Sequence, residues 1–347
     1  MKFSIVQSPI DRVSTDSGGS FARSEKRLDV MREERLNTGG RPSYPLVIAL
    51  LGPTAVGKSR HALELCREFG GVILSADSRQ VYRYMDICTA KPTPEERASV
   101  PHYMIDLVEP EESYTAQRFA EEGQRVLAAA ESRRQPVFVV GGTGFYVSVL
   151  LDRRAMPAIT PDYALRLTLR EEAESAGSDA LHRRLQRVDP TSAGRIHPNN
   201  LPRLIRALEI VEKTGKPIPR ESDRVPMPAC YIGLQMERST LHQVADRRID
   251  EQMRLGLVEE VATLLQMGYA PALPALDGLG YRQMIQFIQG KVTREEAVAR
   301  YKIATHQYIR RQLTWFRKDP RIEWVHIDAS TGSTLRERVT RYLSTVS

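Results

Sequence analysis

Hydrophobic and polar positions along this chain fall into blocks of two kinds. Short unbroken apolar runs occur at Leu46-Val47-Ile48-Ala49-Leu50-Leu51, Gly71-Val72-Ile73-Leu74-Ser75-Ala76, Gln135-Pro136-Val137-Phe138-Val139-Val140 and Cys230-Tyr231-Ile232-Gly233-Leu234. A continuous run of this length predicts a strand covered on both faces, as in a parallel sheet sandwiched by helices. The first run leads through a glycine-rich turn into a helical pattern, Ala62, Leu65, Cys66 and Phe69. The other kind of block is charged and helical: Tyr163 to Ala176, Asp179 to Val188 and Leu201 to Lys213, with no strand-like run between them. Together the blocks predict an α/β protein: a parallel-sheet core over residues 45–154 and 225–330 with helices on both faces, a helical insertion over 155–224, and a tail over 331–347. Residues 1–44 carry no sustained periodicity, no long apolar stretch and six acidic residues, so they predict a disordered extension, not a secretory or organellar leader.

Composition narrows the class. The 347 residues are 41% hydrophobic and 27% charged, which suits a soluble globular protein. No apolar run approaches the ~20 residues of a membrane span, so no membrane partner is expected. Cys66, Cys88 and Cys230 form neither a disulfide framework nor a zinc or redox spacing, which points to a reducing, cytoplasmic compartment. The net charge is +7, of which residues 1–44 hold +2. The remaining surplus equals that of a single segment, Arg294 to Lys318, with seven Lys/Arg and two Asp/Glu. Tyr301, Tyr308 and Trp315 recur every seven residues there, which predicts an inward-packing stripe with Arg310, Arg311 and Arg317 on other faces, suited to phosphates.

Candidate chemistry sits at the predicted strand ends. Gly52-Pro53-Thr54-Ala55-Val56-Gly57-Lys58-Ser59 matches the phosphate-loop pattern between a strand and a helix. Its glycines let backbone amides wrap a phosphate, Lys58 brings a mobile charge, and the Ser59 hydroxyl is placed to ligate Mg²⁺. Asp77-Ser78-Arg79-Gln80 ends the second run, and Gly141-Gly142-Thr143-Gly144 ends the third. Ligands in open parallel sheets bind beyond these carboxyl ends. His102 reads as structural, whereas Lys91 would either reach a phosphate or be solvated. One of Arg238, Arg247 and Arg248, beyond the fourth run, would assist a diphosphate.

Several blocks together resemble the tRNA dimethylallyltransferases, also called tRNA isopentenyltransferases, of bacterial type. They are Gly52-Pro53-Thr54-x-x-Gly57-Lys58-Ser59, Asp77-Ser78-x-Gln80-Val81-Tyr82, Met85-Asp86-Ile87-x-Thr89-Ala90-Lys91-Pro92, Gly141-Gly142-Thr143-Gly144-x-Tyr146, Arg195-Ile196-His197-Pro198-Asn199-Asn200, Arg203-x-x-Arg206-Ala207-Leu208-Glu209, Gly278-x-Gly280-Tyr281-Arg282-Gln283 and Arg311-Gln312-x-Thr314-Trp315-Phe316-Arg317. The resemblance implies Mg²⁺-dependent transfer of a dimethylallyl group from dimethylallyl diphosphate to N6 of the adenosine 3′ of the anticodon. Gly52, Pro53, Thr54, Ala55, Val56, Gly57, Lys58 and Ser59 would hold the diphosphate instead of ATP, with Asp77 as base and Thr54 and Lys58 beside it. The tRNA anticodon stem-loop would touch Asp77, Ser78, Arg79, Gln80, Thr143, Arg166, Pro202, Arg203, Leu204, Ile205 and Arg206. Further contacts would come from Asp277, Gly278, Leu279, Gly280, Tyr281, Arg282, Arg310, Arg311, Gln312, Leu313, Thr314, Trp315, Phe316 and Arg317. A monomer is expected. An adenylate isopentenyltransferase, a P-loop small-molecule kinase and a non-catalytic nucleic-acid-binding module are the competing readings. The arginine-rich insertion and basic helix favour tRNA over a mononucleotide.

Overall fold

A computed structural model describes residues 45–152, 159, 161–218 and 226–346. The expected extension 1–44 and the seams of the expected insertion lie outside these residues. Six strands, β1 (Val47–Leu51), β2 (Val72–Ser75), β3 (His102–Tyr103), β4 (Val137–Gly141), β5 (Cys230–Gln235) and β6 (Glu323–His326), form one parallel sheet in the order β3-β2-β4-β1-β5-β6. The first strand lies in the interior, between β4 and β5. Its unbroken apolar run is an alternation between two cores: Val47, Ala49 and Leu51 enter one, Ile48 and Leu50 the other. The second core is closed by Ala62, Leu65 and Cys66 of α1 (Lys58–Phe69). The first is closed by Phe119 and Leu127 of α3 (Ala116–Glu131) and Val147 and Leu150 of α4 (Gly144–Leu151). Between β2 and β3 lies the short α2 (Pro94–Ser99).

The charged middle of the chain folds into α5 (Tyr163–Ala176), α6 (Ser178–Val188), α7 (Pro190–Ala193) and α8 (Leu201–Thr214). These enclose a small core of their own, which includes Leu169, Leu181, Leu185, Leu204, Ile205 and Leu208. At its edge the fully buried Glu209 accepts hydrogen bonds from the Asp162 amide (2.7 Å), from Arg166 Nε and Nη2 (2.9 and 2.8 Å) and from Arg206. Removing one member of such a cluster strands the opposite charge. Glu209→Ala is therefore expected to cost about 3 kcal/mol, the lower end for a buried pair because both guanidiniums keep partial solvent contact. Urea unfolding followed by circular dichroism checks this, with Glu209→Gln falling between the variant and the parent.

After β5 come α9 (Arg238–Arg254), α10 (Leu257–Gln266), α11 (Tyr281–Ile288) and the 23-residue α12 (Arg294–Phe316). A capping box of Thr293 and Glu296 starts α12. Residues 331–346, expected as a tail, instead form α13 (Thr331–Val346), whose Leu335 and Val339 are fully buried in the second core. The aromatic stripe on α12 is also corrected. Tyr301 is buried, Tyr308 half-buried, and Trp315 is 40% exposed. A seven-residue repeat drifts by ~20° per heptad on a straight helix, so the stripe rotates outward along α12.

Candidate functional site

The phosphate loop leaves β1 at Gly52, whose positive φ of 139° lets the chain pass the Leu234 carbonyl of β5 where a Cβ would collide. Gly57 (φ 93°) turns the chain into α1, so Lys58 and Ser59 occupy the first helical positions. The Lys58 ammonium donates to the Pro53 carbonyl at 2.6 Å. Desolvation, and then the nearby Arg248 guanidinium, push Lys58 down to about 7, against a smaller upward pull from Asp77. Ser59 is exposed.

Two further strand ends converge on this loop. After β2, Asp77 Oδ1 accepts from the Arg79 amide (2.8 Å) and, more weakly, the Gln80 amide (3.4 Å), which fixes one carboxylate oxygen. After β4, Gly142 and Gly144 have ordinary negative-φ backbone, so their reason is proximity. A Cβ on Gly142 would strike the Gln312 side chain, and one on Gly144 the Trp315 ring. Gln312 ties the ends together: its Oε1 accepts from Thr54 N–H (2.9 Å) and its Nε2 donates to Gly142 O (3.0 Å). The Thr54 amide is thus already engaged. Thr143 Oγ1 accepts from the Ser78 amide at 3.3 Å.

These ends open on a cavity of about 410 Å³. Thr54, Asp77, Ser78 and Arg79 line it from the loops after β1 and β2, and Arg311 from α12. Burial and the Asp77 carboxylate push the Tyr308 phenol up. The rest of the lining includes two helical stripes, Ala245, Arg248, Ile249 and Gln252 of α9 and Tyr301, Thr305 and Tyr308 of α12, together with Cys88, Leu279 and Tyr281. Of the three arginines expected near a diphosphate, Arg248 lines the cavity, while Arg238 and Arg247 are exposed elsewhere on α9. Burial pushes the Cys88 thiol up to about 12, which keeps it protonated and a poor nucleophile beside any electrophile in the cavity.

The loop over residues 86–91 beside the cavity is held by a polar network whose centres, Glu260 and Gln252, lie in no motif. Glu260 accepts from the backbone amides of Asp86 (2.8 Å) and Ile87 (2.6 Å) and from Tyr281 OH (2.7 Å). Gln252 donates to the carbonyls of Ile87 and Cys88 and accepts from Tyr301 OH (2.9 Å). Gln80 reaches the carbonyls of Thr89 and Ala90. Lys91 is neither solvated nor directed at the cavity. Its buried ammonium donates to Tyr82 O, Asp86 and Asp106 and locks the same loop.

The residues expected at a tRNA surface divide. Pro202, Arg203, Asp277, Arg282, Arg310, Arg311, Thr314, Trp315 and Arg317 are exposed, and Ser78, Arg79, Thr143, Leu279 and Leu313 are half-buried. Arg79 is anchored on the carbonyls of Pro274 (2.5 Å) and Ala275 (3.0 Å). Arg166 and Arg206 are committed to Glu209. Leu204, Ile205, Gly278, Gly280, Tyr281, Gln312 and Phe316 are buried. Gly278 and Tyr281 among them still line the cavity, and Gln312 spends its amide on Thr54 and Gly142.

The sequence profile of the IPP transferases matches residues 80–319. A tRNA dimethylallyltransferase of Thermomicrobium roseum is 44% identical over 300 residues, covering 86% of this chain and 91% of that protein. A full-length tRNA isopentenylpyrophosphate transferase of Bacillus halodurans superposes with a TM-score of 0.66 at 35% identity, covering 87% of this chain and 98% of the other. A eukaryotic dimethylallyltransferase acting on tRNA gives a TM-score of 0.73 at 26% identity over 86% and 80% of the two chains.

Proposed function

The chain belongs to the IPP transferase family of prenyltransferases, and we propose that it transfers a dimethylallyl group from dimethylallyl diphosphate to N6 of the adenosine 3′ of a tRNA anticodon. The observation that carries this reading is the cavity itself. Arg248 lines it within electrostatic reach of Lys58 in the adjoining phosphate loop, Asp77 brings a carboxylate, and Ala245, Ile249 and Leu279 form an apolar stretch of its wall. A diphosphate fits the first, an exocyclic amine the second and an isoprenoid tail the third. Lys58 and Arg248 would stabilise the charge that grows on the diphosphate as the C1–O bond breaks. Asp77 would accept a hydrogen bond from the N6 amine, orient it, and take its proton as the N6–C1 bond forms.

A hydroxyl at the start of α1 beside a diphosphate is the kind of oxygen set that Mg²⁺ takes. Mg²⁺ typically takes one or two protein oxygens and completes its shell with phosphate and water. The Ser59 hydroxyl, in the first turn of α1, would be its protein ligand, and the ion would neutralise departing diphosphate. No helix among the described residues is long and apolar enough to cross a membrane. A cytoplasmic, monomeric enzyme belongs to the same reading.

The anticodon stem-loop would lie across the α12 end, where Arg310, Arg311, Trp315 and Arg317 are exposed, with Arg282 beside it and Arg203 on the helical unit. Unstacking the target adenosine costs about a few kcal/mol. An exposed Trp315, edge-on to Phe145 at 6.4 Å, offers a displaced base a stacking surface. Incubation with labelled dimethylallyl diphosphate, Mg²⁺ and either unmodified tRNA or AMP tests the proposal, and label on tRNA is expected. Label on AMP alone would replace it with an adenylate isopentenyltransferase. ATP consumption with neither product would point to a kinase.

A further inference from the structure

Thr305 has a hydroxyl without a partner. It lies midway along the cavity-lining stripe of α12 and is 6% exposed, and among the described residues its Oγ1 is the buried side-chain oxygen left without a hydrogen bond. Buried hydroxyls are nearly always satisfied, and a helical threonine has a ready acceptor in the carbonyl one turn back. Thr305 does not use it. Nor do its polar neighbours serve it. Gln252 spends its amide on Ile87, Cys88 and Tyr301, and Tyr301 OH is committed to Gln252. On the stripe of the neighbouring helix α9, Arg248 is in no ion pair among the described residues and acts electrostatically on Lys58 and on Tyr301. A cation and an unpaired hydroxyl therefore face one volume, one helix each.

We infer that the Thr305 hydroxyl donates a hydrogen bond to a phosphate oxygen of the prenyl donor, on the Arg248 side of the diphosphate, and so helps to seat the leaving group. This rests on the reading of the phosphate loop given above. The choice among ligand atoms follows from chemistry. A dimethylallyl tail has no acceptor. The adenine is drawn to Asp77, next to which Tyr308 stands one helical turn from Thr305. The diphosphate alone combines acceptor oxygens with the negative charge that Arg248 attracts.

Titration calorimetry with inorganic diphosphate and Mg²⁺ on the full-length protein tests it, alongside the KM for dimethylallyl diphosphate. Thr305→Val is expected to weaken diphosphate binding ~10-fold and raise the donor KM similarly, as loss of a hydrogen bond to a charged group does. Thr305→Ser should stay within ~3-fold of the parent, because the hydroxyl is retained. The Kd for tRNA should not move. Thermal stability should be unchanged or higher in the valine variant, since an unsatisfied polar atom is removed; a merely structural threonine would give the opposite. Unaltered diphosphate affinity in Thr305→Val overturns the inference. Lys58→Ala separates this from failure of the underlying reading. If it loses diphosphate while Thr305→Val does not, only the threonine assignment falls. If neither loses it, the loop does not hold diphosphate.

Discussion

Asp77→Asn is expected to lower kcat for prenyl transfer ~10²–10⁴-fold, the contribution of a general base, with the Kd for tRNA changed less than twofold. The substitution isolates one property. Asparagine keeps the side-chain oxygen that the Arg79 amide holds at 2.8 Å, so the loop after β2 should retain its shape. What it loses is the capacity to accept a proton and the negative charge that favours a developing cation on N6. Single-turnover kinetics at saturating donor, with tRNA binding by filter retention, read the two effects separately. A drop confined to tRNA binding would make Asp77 a docking group. A second consequence follows from the Asp77 field at Lys58, which supports the protonated lysine. Removing that charge should move the alkaline limb of the diphosphate-binding profile to lower pH, and Asp77→Glu should leave it near its original position.

The parts of this site that were legible in the sequence share a cause. Lys58, Ser59 and Asp77 lie within a few residues of unbroken apolar runs, and a parallel strand buried on both faces announces its own carboxyl end. Gly142 and Gly144 were visible as a cluster, but their reason was not. The atoms that forbid a Cβ there belong to Gln312 and Trp315, some 170 residues away. Gln312 stands inside a recognisable block, but the block does not reveal that its amide stitches the phosphate loop to the β4 turn. Glu260, Gln252 and Thr305 left no signal. Each is one polar residue on an otherwise amphipathic helix, and its partner is chosen by how α9, α10 and α12 pack. The short outer strands were hidden for a related reason. β3 has two residues, and β6 (Glu-Trp-Val-His) buries only Val325 well, so neither makes the continuous run that marked the interior strands. Helix α13 does carry a helical signal: Leu335, Val339, Tyr342 and Leu343 recur at helical spacing and all pack on the second core, so residues 331–346 are part of the fold and not a tail.

Lys58 carries the other large effect, and its sign is set by which protonation state binds. With the group pushed down to about 7, the unliganded enzyme begins to lose its ammonium near neutrality, while in an unfolded chain the same lysine keeps its proton to ~10.4. Desolvation therefore disfavours the charged form, a penalty on folding present below about 7 and relieved as the pH rises toward the unfolded value. Diphosphate reverses this, because an anion against the loop restores the ammonium. Binding should then take up a proton above about 7, and donor affinity should fall roughly tenfold per pH unit beyond that point. Below ~6 the terminal phosphate gains a proton and weakens the same contact, so kcat/KM for the donor should be greatest between the two limits. Lys58→Arg should abolish the alkaline limb, since a guanidinium does not deprotonate in this range, though its planar fork will not reproduce the lysine contact. Lys58→Ala should lose ~10²–10³ in kcat, as expected for removal of a charged donor from a developing oxyanion, and should flatten the pH profile as well. Calorimetry in two buffers of different ionisation enthalpy counts the proton directly. An uptake of zero at pH 8 would mean that Lys58 enters the complex already charged, and that the Pro53 carbonyl and Asp77 outweigh desolvation and Arg248 in the unliganded loop.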